Sequence, residues 1–324
     1  MNCVHLSWSG CLPPSIWVAP GPLWFFLKAD AMQWTVTEEE AGQEVLEFLA
    51  RCVPAAPIGY LNQLLKKDRV VKSDGVAVAR TYRLQPGDRI SLPDSARLRE
   101  FLMVPVADKS RPKVLYESRE ILAVDKPAGL AVHSSVGHEQ NNLTQQVLDL
   151  LAERGDRFSV APIHRLDVGT SGPVLFGKGK QACAELGRLF MRRSVEKCYL
   201  ALVAGRTAGA GRFSGALLSK GKVRSADTDF FALKRSESAS FLQLQIGTGR
   251  QHQIRRHLAA AGHPIFGDGR YGGPAPPHLP RMCLHCARLS FVDPFSAAPL
   301  TVESPWPDEL VRFAATVFDD VGTD

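Results

Sequence analysis

His164-Arg165-Leu166-Asp167-Val168-Gly169-Thr170-Ser171-Gly172 sets an arginine and a carboxylate two residues apart on a turn-rich segment that runs into the apolar stretch Val174 to Phe176. A carboxylate beside a fixed guanidinium is held ionised and aimed, as a nucleophile or a proton-abstracting base must be. Taken alone, an aspartate in a Gly/Ser/Thr loop is more often a turn former whose side chain bonds nearby backbone. Ser171 is no hydrolase nucleophile on this pattern, because Gly169-Thr170-Ser171-Gly172 lacks the Gly-x-Ser-x-Gly spacing of a nucleophile elbow.

Further blocks stand on either side. Upstream lies Leu122-Ala123-Val124-Asp125-Lys126-Pro127-Ala128-Gly129, a strand that ends in a turn. Downstream come Lys197-Cys198-Tyr199-Leu200-Ala201, then Thr248-Gly249-Arg250-Gln251-His252-Gln253-Ile254-Arg255-Arg256-His257-Leu258, then Gly262-His263-Pro264-Ile265-Phe266-Gly267-Asp268, and finally Leu284-His285 with Leu289-Ser290-Phe291. Strands are expected at 122–124, 174–176, 199–203, 241–246 and 284–292, and helices at 144–152, 181–192 and 251–261. Neither a Gly-x-Gly-x-x-Gly turn nor a Gly-x-x-x-x-Gly-Lys-Ser/Thr loop is present, so no nucleotide cofactor is expected.

In this order the blocks resemble the RluA-type pseudouridine synthases, over about residues 114 to 306. The resemblance implies an α+β fold, a mixed and mostly antiparallel sheet with flanking helices and a central cleft, and an isomerase that turns uridine in RNA into pseudouridine. It puts Asp167 at the catalytic aspartate, Tyr199 against the uracil and Arg255 in an ion pair with Asp167. Arg165 would wedge into the RNA where the base leaves its stack, with a hydrogen bond inside its own loop as the alternative. His164, Arg250, His252 and Lys126 are expected at the RNA surface. The chemistry needs a carboxylate near the ribose and no redox group, so no cofactor and no metal are expected. Asp167 would attack C1′ or take the C2′ proton, and the residues leave both routes open. Pro173, Gly177 and Cys286 depart from the family's usual residues and are expected to touch none of the reacting groups.

The net charge is +6. Residues 1 to 100 balance, and residues 305 to 324 hold five acids against Arg312, so the whole basic surplus falls on 101–304. That distribution suits a polyanionic partner. Seven cysteines, an odd number scattered along the chain, read as reduced thiols and a cytoplasmic protein. The spacing of Cys283 and Cys286 has no second pair to complete a zinc site.

The domain reading has four parts. Residues 1–31 are a poorly structured extension whose Pro13, Pro14, Pro20 and Pro22 keep its apolar runs short of the ~20 residues of a membrane span, either a disordered tail or a stretch upstream of a true start at Met32. Residues 32–95, read as two helices (38–49 and 58–67) and a hairpin unit, resemble an S4-like RNA-binding module, with Lys66, Lys67, Arg69 and Lys72 gripping phosphates. The alternative is a small α+β appendage that only packs against the rest. Residues 96–112 are a linker, and 113–324 form the catalytic domain with an acidic tail. Ribosomal RNA is the expected substrate and transfer RNA the second, acted on by a monomer without a membrane.

Overall fold

A computed structural model describes residues 31–102, 111–134, 142–156, 158–219, 221–276 and 279–319. The expected extension up to residue 30, residues 103–110 of the expected linker and the end of the acidic tail lie outside these residues.

The N-terminal unit opens with β1 (Ala31–Thr35) and a single 3-10 turn, Glu38–Glu40. The helix expected from Glu38 onward is split. Thr37 and Glu40 cap the turn reciprocally, Gly42 takes φ +79, and the helix α1 (Val45–Cys52) starts only afterwards. The Gly42 N–H bonds the Leu84 carbonyl at 2.8 Å, which draws the chain out of helical geometry at that point. Then come α2 (Ile58–Lys66), β2 (Val71–Lys72) and β3 (Arg89–Pro93), and the three strands form an antiparallel sheet in the order β1-β3-β2. Val45, Phe48 and Leu49 share one face of α1 and meet Leu61 and Leu65 of α2 and Ile90 and Leu92 of β3 in a separate core. The expected linker begins as a helix, α3 (Ala96–Leu102), because Ser95 Oγ accepts from the Leu98 N–H at 3.2 Å and Leu98 completes the same core.

The second unit begins with β4 (Lys113–Glu117), β5 (Ile121–Lys126), α4 (Leu143–Glu153), β6 (Val160–Pro162), β7 (Gly172–Lys178) and α5 (Gly179–Arg192). It continues with β8 (Glu196–Ala204), β9 (Ala210–Ser219), β10 (Lys222–Arg235), β11 (Ala239–Ile246), α6 (Gln253–Ala260), β12 (Leu284–Val292), β13 (Pro299–Glu303) and α7 (Asp308–Asp319). Two sheets result, ordered β4-β5-β7-β6 and β13-β12-β8-β11-β10-β9, with antiparallel pairing between neighbouring strands. The expected α+β class and antiparallel sheet are both present. β5 and β7 are apolar in long runs because both of their faces are covered, whereas β11 alternates from Phe241 to Ile246. The Gly- and Ser-rich stretch after Gly205 hides a long β9–β10 hairpin that periodicity did not reveal.

The two sheets meet where the Asp167 loop ends. Ser171 bridges to His285 of β12 in parallel, with the Cys286 N–H bonding the Ser171 carbonyl at 2.8 Å. Gly172 follows at φ +123, and a Cβ on it would overlap the Cys286 carbonyl oxygen, so only glycine lets β7 leave the seam. Lys126 closes the other side of the loop. Its amine has no exposed surface and donates to the carbonyls of Pro127, Leu130 and Val168 at 2.9, 2.8 and 3.2 Å. Gly172→Ala must adopt a left-sided φ and also push the seam apart. It should lower the unfolding free energy by more than the ~1 kcal/mol of an average substitution, read from urea denaturation.

Candidate active site

Asp167 stands in the loop between β6 and β7, its carboxylate partly open to solvent. Its two oxygens face two residues one helical turn apart at the start of α6. Oδ2 lies 3.6 Å from Arg255 Nη1 and Oδ1 lies 3.9 Å from His252 Nε2. Residues spaced i, i+3 share a helix face, so one helix start addresses both oxygens.

The expected Asp167–Arg255 pair is therefore present, but it is the loosest contact of that guanidinium. Arg255 is 3% exposed. Its Nε and Nη2 make a two-pronged bond to Asp268 at 2.7 and 2.8 Å, and Nη2 also reaches Glu100 at 2.8 Å. Burial works against the charge, yet Asp268, Glu100 and Asp167 together raise the Arg255 pKa above its ordinary value. Asp268 and Glu100 were missed by sequence reasoning. Asp268 closes the block Gly262 to Asp268, whose place just after α6 was the available signal, while Glu100 stood in a stretch read as linker.

The start of α6 is built by the side chains of its own motif. Gln253 Oε1 accepts from Thr248 Oγ1 at 2.6 Å and from the Arg250 N–H at 3.2 Å, while its amide donates to the Asp227 carbonyl at 2.8 Å, so the loop is strapped to β10. His252 sits at φ +53, in the left-handed region, and Tyr271 holds it there through a 3.0 Å contact with Nδ1. Burial pushes the His252 pKa below 6.5, with Arg255 adding to the effect and Asp167 opposing it. A neutral ring that accepts the Tyr271 proton at Nδ1 presents Nε2–H to Asp167.

These groups line a cleft of about 480 Å³ together with Arg165, Tyr199, Ile246 and Arg250. Tyr199, on β8, is 8% exposed, and burial raises its hydroxyl pKa well above 10. Cys286 is its cross-strand partner, and the thiol meets the Tyr199 hydroxyl. The expectation that Cys286 touches none of the reacting groups is thus corrected. Their register puts the two side chains on one face of neighbouring strands. The Arg165 side chain is exposed, and among the described residues no hydrogen bond or ion pair of that side chain ties it to its own loop. Arg250 keeps a buried Nε without a hydrogen-bond partner.

Three of the expected RNA contacts are elsewhere engaged. Lys126 is wholly buried under three carbonyls and is a strut of the loop. His164 stacks on Phe190 with ring centres 4.7 Å apart, and its Nε2 accepts the Leu175 N–H at 3.1 Å, so it packs rather than faces the cleft. Lys72 is bonded to Asp88 at 3.0 Å and to the Tyr82 hydroxyl at 3.2 Å. Lys66, Lys67 and Arg69 are exposed at the end of α2. Ser171 is buried in a network of its own, accepting from Arg281 at 2.6 Å and meeting His285 Nδ1 at 2.8 Å, while His285 Nε2 bonds the Ser304 carbonyl at 3.0 Å. Among the described residues no group of three or more His, Cys, Asp or Glu side chains is placed to hold a metal.

Residues 120–260 match the family described as RNA pseudouridylate synthase. Ribosomal large subunit pseudouridine synthase C of Escherichia coli is 31% identical over 304 residues, 86% of this chain and 93% of its own length. The chain belongs to the RNA pseudouridylate synthase family. Ribosomal large subunit pseudouridine synthase D of Nitrosomonas europaea is 29% identical over 308 residues, covering 89% of this chain and 88% of its own. The solved human RNA Pseudouridylate Synthase Domain Containing 1 superposes with a TM-score of 0.51 at 26% identity, over 61% of this chain and 85% of that one. As a member of this family the protein is an RNA pseudouridine synthase, an isomerase.

Two outcomes follow from the site's electrostatics. Asp268→Asn removes the main counter-charge of a buried guanidinium and should cost about 3–5 kcal/mol of stability, measured by denaturant unfolding. His164, whose pKa burial lowers from 6.5 to about 3, binds its proton more readily unfolded than folded. Its stabilising contribution is whole above 6.5 and lost as the pH falls toward about 3. The melting temperature should drop over that interval, and less steeply in His164→Gln.

Proposed function

We propose that this protein isomerises uridine to pseudouridine in large-subunit ribosomal RNA, with Asp167 as the residue that acts on the ribose. One observation carries the reading: a single carboxylate in a nucleoside-sized cleft, each oxygen addressed by a different donor, Arg255 and His252. The names of the relatives from Escherichia coli and Nitrosomonas europaea support the choice of RNA.

An Asp167 oxygen either attacks C1′ as the N1–C1′ bond breaks or removes the C2′ proton to leave a glycal. In both cases the uracil leaves as an anion, turns, and rejoins through C5. The C5 proton is then lost and N1 gains one, so no electrons are exchanged with a cofactor. Arg255 fixes the charge that Asp167 works with, and its own position is set by Asp268. Tyr199 forms a wall for the uracil, and its hydroxyl, kept protonated by burial, serves as a donor. Extruding the base costs ~ a few kcal/mol, and exposed Arg165 is placed to fill the gap it leaves. The unpartnered Nε of Arg250 has a hydrogen to give to the nucleotide.

The N-terminal unit serves as an S4-like RNA-binding module in this reading. Lys66, Lys67 and Arg69 add backbone affinity without choosing sequence. The protein works as a cytoplasmic monomer. Wild type incubated with total RNA from a strain lacking it should restore pseudouridine at a discrete large-subunit position, and Asp167→Asn should restore none. Restoration by the variant, or a new pseudouridine in transfer RNA only, overturns the corresponding part.

A further inference from the structure

Resting on the RNA synthase reading, we infer that Arg255 and Arg270 form a phosphate-binding slot for the RNA backbone beside the reacting nucleotide, and that Glu100 of the N-terminal unit occupies it in the free protein. The carboxylate of Glu100 spans the two guanidiniums, with Oε1 2.8 Å from Arg255 Nη2 and Oε2 3.3 Å from Arg270 Nη1. Two oxygens of one anion bridging two arginines is the arrangement a phosphodiester makes with the same groups.

Glu100 is not needed to hold Arg255 in place. Asp268 already fixes that guanidinium through two bonds, and the Nη1 nitrogen facing Asp167 is untouched by Glu100. Arg270 is 39% exposed and has no ion-pair partner besides Glu100 among the described residues, although its guanidinium also lies over the Tyr271 ring at 5.8 Å. The local charge argues the same way. Within this ion-pair cluster Asp167, Asp268 and Glu100 stand against Arg255 and Arg270, one negative charge in excess, beside a cleft that must admit a polyanion and that Arg165 and Arg250 also line. Departure of Glu100 balances the set and frees donors on both arginines. Asp167 and Glu100 lie on neighbouring nitrogens of one guanidinium, and a nucleotide's C1′ is joined to its phosphate through the ribose alone. A nucleotide with its sugar at Asp167 therefore brings a phosphate toward the slot.

Glu100 arrives there as part of a packed body. α3 shares the N-terminal core through Leu98, and its backbone at Arg99 lies so close to Gly269 that an added Cβ would stand 2.9 Å from the Arg99 carbonyl carbon. Binding of RNA thus competes with a contact between the two units, and the N-terminal unit both attracts RNA and guards the cleft.

The test uses the full chain with an unmodified transcript of large-subunit ribosomal RNA. Glu100→Ala should tighten binding about two- to fivefold, the scale of one partly exposed ion pair, with KM falling alike and kcat little changed. Adding Arg270→Ala should cancel the gain. Glu100→Gln, which keeps a hydrogen-bonding oxygen, should move in the same direction if Glu100→Ala melts too low to assay. Unchanged or weaker binding in both Glu100 variants, a loss of kcat at constant KM, or a gain that survives Arg270→Ala overturns the proposal. Binding is read without turnover, so a wild type that binds this RNA but forms no pseudouridine counts against the function reading and leaves the affinity comparison to decide this one.

Discussion

A single buried guanidinium organises this molecule. Arg255 is held by Asp268, reached by Glu100 and turned toward Asp167, so the loop between β6 and β7, the turn after α6 and the helix α3 all converge on one side chain. A cation this deeply buried is tolerable only with full pairing. The pairing is shared unequally. Asp268, with no exposed side-chain surface, neutralises the charge, which leaves Asp167 near a cation without being locked to it. A carboxylate gripped at 2.7 Å on both oxygens would have little left to give a ribose carbon. At 3.6 and 3.9 Å it is steered and still free to react.

The position of Asp167 depends on the seam between the two sheets. Lys126 ties the loop to the turn after β5, Ser171 ties its end to β12, and Gly172 allows the backbone approach that both require. These are buried fixtures, whereas the Arg165 side chain is exposed and no ion pair holds it among the described residues. The division suits a reaction in which the chemistry needs sub-ångström placement and the RNA must be accommodated as it arrives.

The second unit was legible because its strands and helices coincide with motif blocks. Tyr199, Asp167, Arg255, His252 and Arg250 meet in one cleft as their order in the chain implied. Lys126 and His164 were misread for one reason: a basic residue inside a motif can be essential by being buried, and neither charge nor spacing tells a strut from a ligand. Glu38 to Glu40 read as the first turn of a long helix, and only the tertiary bond from Gly42 to Leu84 explains the break. Glu100 was illegible in principle. It lies 155 residues from Arg255, on a helix too short to stand out among prolines and charges.

The charge pattern also bears on how RNA reaches such a site. The basic surplus of the chain lies on the unit that holds the cleft, and Asp167 is the one carboxylate among the residues that line it, beside Arg165, Arg250 and Arg255. A phosphate brought onto Asp167 itself would meet that carboxylate in a medium that screens poorly. A flipped uracil carries no charge and meets no such penalty. The carboxylate proposed to act on the ribose therefore favours entry by the base and leaves the phosphates to the arginines around it.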